Sequence, residues 1–148
     1  MKINTRKFGE IDIDEAKILT MPEGLPGFLE FKRFVLLENP DTKPFCWFQS
    51  IENPNLALVV INPFLFKPDY HLDLKTVIST KKWSVEKEED LLIYVVVNIS
   101  ENNFHQKTIT ANLIGPLIIN PFENEVVQLV LSDGVYSHKY NILEPGEK

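Results

Sequence analysis

Leu56-Ala57-Leu58-Val59-Val60-Ile61-Asn62-Pro63-Phe64 decides the architecture. Its first six residues are apolar without a polar interruption, and half are β-branched. A run of that length and composition reads as a strand covered on both faces. Pro63 then denies a sheet ladder its donor, while Asn62 can accept a hydrogen bond from the backbone of its own turn, so the strand must end there. Ile119-Asn120-Pro121-Phe122 repeats the ending after a second apolar run. The repetition reads as one strand-exit solution used twice, since too little else matches for a gene duplication. Asn39-Pro40 and Asn53-Pro54 punctuate the chain in the same way.

Outward from this stretch, strand-like runs recur at 8–13, 16–21, 34–37, 45–50, 91–99, 107–113, 117–120 and 126–131, with turn signals between them. Short, closely spaced strands of this kind predict an antiparallel sandwich or small barrel. Residues 9–13 alternate, with Ile11 and Ile13 against Glu10 and Asp12, as a half-exposed edge strand should. Residues 91–97, like 56–61, are apolar on both faces and read as central. The helical candidates are 70–80, where Leu72, Val77 and Leu74 can face inward, and a short turn at 84–90. No linker or low-complexity segment divides the 148 residues, which predicts one mostly β domain over 1–148 with one or two short helices.

Ten prolines and ten phenylalanines fit that lean away from helix. Acidic side chains outnumber basic ones 21 to 15, a formal charge of −6. That balance disfavours a polyanionic partner and favours a basic protein. Cys46 is the sole cysteine, so no internal disulfide forms. The amino-terminal Met-Lys-Ile-Asn-Thr-Arg has no apolar h-region, and no run approaches the roughly 18 apolar residues that span a bilayer. The cytoplasm is the expected location, with no membrane contact.

Few residues offer chemistry. Cys46 lies between Phe45 and Trp47, away from the charged neighbours that make a thiolate, and reads as a buried structural thiol. His71, His105 and His138 are dispersed without ligand spacing, and no phosphate loop, dinucleotide fingerprint or nucleophile elbow occurs. No cofactor, metal or catalytic residue is expected. The competing class is a small-molecule-binding or hydrolytic barrel using Cys46, His71 or His105 in an internal cavity. A barrel stacking single-stranded nucleic acid on Phe64, Phe66 and Tyr70 lacks its basic groove, with only Lys67 and Lys75 nearby.

Three features instead suit protein docking. Gly24-Leu25-Pro26-Gly27-Phe28 is a preset loop loaded with two large apolar side chains, Leu25 and Phe28, which either pack or dock. Phe64 and Phe66, beyond the strand exit at Asn62, either close the core or form an aromatic recognition surface. Glu86, Glu88, Glu89 and Asp90 form a dense acidic run before a central strand, read either as a solvated turn or as a patch for a basic protein.

Taken in order, Gly24-Leu25-Pro26-Gly27-Phe28, Pro44-Phe45 with Gln49-Ser50, Leu56-Ala57 through Asn62-Pro63-Phe64, and Thr110-Ala111-Asn112-Leu113 with Pro116 to Asn120 resemble the flagellar assembly factor FliW family. The resemblance runs through nearly the whole chain. It implies a bacterial, cytoplasmic, non-enzymatic regulator with a compact antiparallel β-barrel-like fold. It further implies two partners: the RNA-binding translational repressor CsrA, antagonised allosterically, and flagellin, whose synthesis is thereby tied to export. Leu58, where the family often has an aromatic, and the acidic turn Pro121-Phe122-Glu123-Asn124-Glu125 depart from the pattern.

Overall fold

The computed structural model describes residues 1–132 and 134–142. Seven strands bond into a closed ring: β3 (Leu19–Thr20), β4 (Arg33–Glu38), β5 (Cys46–Ser50), β6 (Ala57–Ile61), β7 (Leu92–Glu101), β9 (Leu117–Asn120) and β10 (Glu125–Gln128). Closure comes from β7, which pairs with β6 through Val60↔Val96 and Ile61↔Val95 and with β9 through Leu92↔Ile119 to Tyr94↔Leu117. β8 (Lys107–Ala111) and the short β11 (Tyr140–Asn141) extend the sheet outward from β7. A separate hairpin of β1 (Lys2–Thr5) and β2 (Gly9–Asp12) packs on β5, with Phe8 edge-on to Trp47 at 5.3 Å.

The expected antiparallel barrel is therefore present, with one exception in its pairing. β3 meets β10 in parallel at Glu125↔Thr20. Several boundaries also shift. The run at 16–21 is a 3-10 turn (Glu15–Lys17) followed by the two-residue β3, because Asp14 accepts the Ala16 N–H and caps the turn. β1 and β11 carry no apolar run that would mark them. The helix is α1 (Leu74–Lys81), starting later than the expected 70–80. Asp73 is its N-cap, accepting the Thr76 N–H at 3.1 Å, and Lys82 ends it in the left-handed region at φ 58°. At 84–90 only Glu88–Asp90 is a 3-10 turn.

The ring has a core on each side of its wall. Inside, Met21, Phe34, Phe48, Val60, Leu117, Ile119 and Val126 pack together, with the Phe34 and Phe48 rings stacked at 4.4 Å. Outside, Ile61, Ile93, Val95, Val97 and Ile118 are covered by Leu74 and Val77 of α1 and by Tyr70 and Trp83. Along β7 the odd residues enter the outer core while Tyr94 and Val96 pack against the inner one. A strand whose two faces both lie on packed cores must be apolar on both, as β6 and β7 are.

All four Asn-Pro pairs use the expected bond. Asn39, Asn53, Asn62 and Asn120 each accept, on Oδ1, the N–H two residues on, at 2.9, 3.0, 2.9 and 3.0 Å. The two matched strand exits differ in burial, however. Asn62 is exposed, whereas Asn120 is fully buried and also donates to Glu123 at 3.2 Å. Asn120→Ala empties a fully buried side-chain site and leaves the part-buried Phe122 and Glu123 N–H groups without their acceptor, lowering stability by about 2–3 kcal/mol, whereas Asn62→Ala costs about 1 kcal/mol or less. Urea unfolding of the two variants measures that difference.

Candidate protein-docking surfaces

The loop after β3 is a succession of tight turns, with Gly24 N–H on the Met21 carbonyl and Phe28 N–H on the Leu25 carbonyl, both at 2.8 Å. Gly24 is buried at φ 71°, and a Cβ there would lie 3.0 Å from the Leu29 backbone, so only glycine fits. The two large side chains of the loop differ in burial. Leu25 is 4% exposed and belongs to the inner core, whereas Phe28 is 42% exposed. Together they wall a hollow of about 370 Å³ at one mouth of the ring, floored by Leu58 and Val96 and flanked by Gln128 and Val130.

Asn62, Phe64, Glu88 and Glu89 come together elsewhere. They line a trough of about 670 Å³ with Leu74, Leu91, Leu92 and Ile93. The trough sits four residues on from Leu58, just past β6, and four residues back from Val96 on the antiparallel β7, about 13 Å from the first hollow. Its apolar surface is open, with Phe64 39% and Leu92 41% exposed. The Asn62 bond to the Phe64 N–H fixes how that ring is presented, and Phe64 leans on Tyr70 with centroids 6.0 Å apart. Tyr70 is in turn pinned by its hydroxyl, which donates to the Leu113 carbonyl at 2.5 Å.

The remaining candidates lie apart from this trough. Phe66 packs against the outer core, stacked on Tyr140 at 5.7 Å, and so helps to close it. Glu86 lines a neighbouring hollow shared with Lys75 and Lys87, and Asp90 is half-buried at the end of the 3-10 turn. Among the described residues, Glu86, Glu88, Glu89 and Asp90 enter no ion pair.

A second acidic set was not singled out in the sequence as a contact. The turn between β9 and β10 grips the far end of α1. Glu125 accepts the Trp83 indole N–H at 2.8 Å, and Glu123 accepts the Ser84 N–H at 3.0 Å. Lys81 reaches Glu23 of the glycine loop at 2.7 Å and Glu125 at 3.9 Å. The departure from the family pattern at Glu123 to Glu125 is thus structural. Its only sequence signal is the pairing of two carboxylates with a Lys and a Trp some forty residues earlier, which periodicity cannot register.

Cys46, His71 and His105 do not converge on an internal cavity. Cys46 faces the inner core, and burial, with the Glu38 carboxylate, pushes its thiol up, away from a nucleophilic thiolate. The hollow beside it, about 200 Å³, is lined by Glu38, Lys43, Phe45 and Tyr94 and holds no histidine. His71 is exposed, and His105, 3.4 Å from Glu101, sits with its side chain 90% exposed on the β7–β8 hairpin. Among the described residues no three His, Cys, Asp or Glu side chains form a metal-sized group, and no helix is long and apolar enough to cross a membrane.

Residues 2–142 match the family model described as FliW protein. The chain belongs to the FliW family. It is 43% identical over its full length to flagellar assembly factor FliW of Alkaliphilus metalliredigens, covering 90% of that protein. It is 41% identical to flagellar assembly factor FliW of Treponema denticola, over 97% of this chain and 94% of that one. A crystal structure of the flagellar assembly factor FliW superposes with a TM-score of 0.83 at 35% identity, covering 98% of this chain and 99% of that one. The ring architecture is thus that of a solved FliW.

Lys81 joins the wall of the trough to the glycine loop, and its bond holds the Glu23 carboxyl below the usual carboxylate range. A carboxylate depressed on folding stabilises the protein above its unfolded pKa, and that contribution is lost as pH falls through the folded value. Glu23 is largely exposed, so screening limits the effect. Lys81→Met is expected to lose about 0.5–1 kcal/mol at pH 7. Melting curves of the two proteins should converge as the pH falls below the ordinary Glu23 value of 4.5.

Proposed function

We propose that this FliW is a non-enzymatic cytoplasmic regulator that binds a CsrA-type RNA-binding translational repressor and also binds flagellin, tying flagellin translation to its secretion and to flagellum assembly. The observation that carries this reading is the end-to-end match to flagellar assembly factors, with both strand exits and the glycine loop in place. Free flagellin would occupy FliW and leave the repressor active; export of flagellin would release FliW to capture the repressor.

The physical features suit that role. A chain of net charge −6 repels RNA phosphate and attracts a basic RNA-binding protein. Phe28, Phe64 and Leu92 offer apolar anchors at two separate hollows, the arrangement a protein with two partners can use. The acidic run beside the trough would bring its field close to RNA held on the repressor, so antagonism need not require occupying the RNA site. FliW thus contacts protein rather than nucleic acid, and it needs no cofactor for this task.

Gel filtration of the protein with the repressor and with flagellin, separately and together, at low and moderate salt, tests the assignment. Co-elution with each is expected; elution apart from both would sink it. Reversing Glu86, Glu88 and Glu89 to Lys should abolish relief of repression in a reconstituted translation assay at physiological salt. Intact relief would remove the field from the mechanism.

A further inference from the structure

The trough at the Asn62 end of the ring is first an apolar feature. Phe64, Leu74, Leu91, Leu92 and Ile93 supply most of its lining, and two of these side chains are well exposed. Leu65 beside it is 60% exposed, so the open apolar surface continues past the rim. Open apolar surface of this kind on a soluble protein commonly marks a contact site. The surface is also pre-organised. Asn62 fixes the Phe64 backbone, Tyr70 backs its ring, and the Asp73 cap holds the start of α1, which supplies Leu74. Little ordering is left to be done on binding.

Charge selects the occupant. The charged residues of the lining are Glu88 and Glu89, and neither has a basic partner among the described residues. Glu88 and Glu89 also border the next hollow, where Lys75 and Lys87 stand beside Glu86, yet neither lysine forms an ion pair with these carboxylates among the described residues. An aromatic face beside two unpaired carboxylates matches a guanidinium, which can stack on the ring and bond carboxylate in its own plane. The apolar floor beside it requires an aliphatic neighbour to that arginine.

Resting on the binding-regulator reading above, we infer that this trough seats an arginine and an adjacent aliphatic residue of the basic repressor, with Phe64 and Leu92 as its apolar contacts and Glu88 and Glu89 as its ion-pair acceptors. Glu86 and Asp90 lie outside the contact, so the acidic run divides into two carboxylates that bind and two that do not. The hollow at Leu25 and Phe28, whose lining carries no charged side chain, lacks this selectivity.

Two measurements test the inference. Titration calorimetry with the repressor, at low and moderate salt, compares E88Q/E89Q and F64S with the control E10Q/D12N, which removes equal charge from β2. Each trough variant is expected to weaken binding about tenfold or more, and E88Q/E89Q should also flatten its salt dependence, with the control within about twofold. Melting temperatures confirm that the variants are folded. Amide NMR of the wild-type protein with a blocked peptide alternating Arg and Leu should shift residues 62–65 and 88–93. A matched Glu-Leu peptide should leave them in place. Trough variants no weaker than the control, or peptide shifts centred elsewhere, overturn the inference while leaving the regulator reading intact. Peptide shifts in the trough without any repressor binding by the wild type would retain the site and sink the regulator.

Discussion

Ring closure along β7 is the constraint on which the rest depends. This ten-residue strand pairs with β6 on Val95 and Val96, with β9 on Leu92 to Tyr94 and with β8 on Val97 to Glu101. Between β8 and β9, residues 112–116 face only the two β7 residues 95 and 96, so the intervening chain is forced outward. That excursion is tied down by Asn112, which accepts the Ile114 N–H, and by Gln128, which donates to the Gly115 carbonyl. Closing the wall leaves β3 to β10 without a long exposed edge, and it places one core inside the ring and another beneath α1. Both hollows border the β6–β7 part of the wall, one beside Leu58 and Val96 and the other beyond Ile61 and beside Leu92.

The fold was largely legible because its determinants are local. Runs such as 56–61 and 91–97 report burial on two faces directly, and an Asn-Pro pair ends a strand by its own hydrogen bond. Residues 9–13 announced their edge position by alternation. What stayed hidden depends on partners distant in sequence. β3 is only two residues long and exists because Phe34 and Glu125 lie on either side of it. β11 is held by Ala111 and Thr110 rather than by its own composition. The helix began later than its apolar spacing suggested, since the cap at Asp73 outweighs an apolar pattern that starts at Tyr70.

The candidate surface was legible as a set of parts and not as an assembly. Asn62, Phe64, Glu88 and Glu89 could each be picked out as unusual, but only the β6–β7 register brings them to one trough. Leu25 and Phe66 share the chemistry of Phe28 and Phe64 and differ in how far the fold buries them, which no property of the residue itself encodes. The turn at Glu123 to Glu125 shows the converse. In the sequence it stands out only as an acidic departure from the family pattern, yet it fastens Trp83 and Ser84 just beyond α1, the helix that supplies Leu74 to the trough.

The seam between β3 and β10 has a consequence for how the molecule is made. Its single bridge, Glu125↔Thr20, is reinforced by the Thr20 N–H on the Asn124 carbonyl and by the Asn124 amide on the Ala16 carbonyl, all joining the first twenty residues to the last thirty. During synthesis, β3 to β6 emerge well before β9 and β10 and can pair in order, but Phe34 and Phe48 lack their Ile119 and Val126 neighbours until those residues have left the ribosome. The nascent chain therefore passes most of its translation as an open, curled sheet with its inner face exposed to the cell. Folding to a closed wall is a late, nearly whole-chain event, and a chain that stops short of Val126 presents that apolar face to any neighbouring protein.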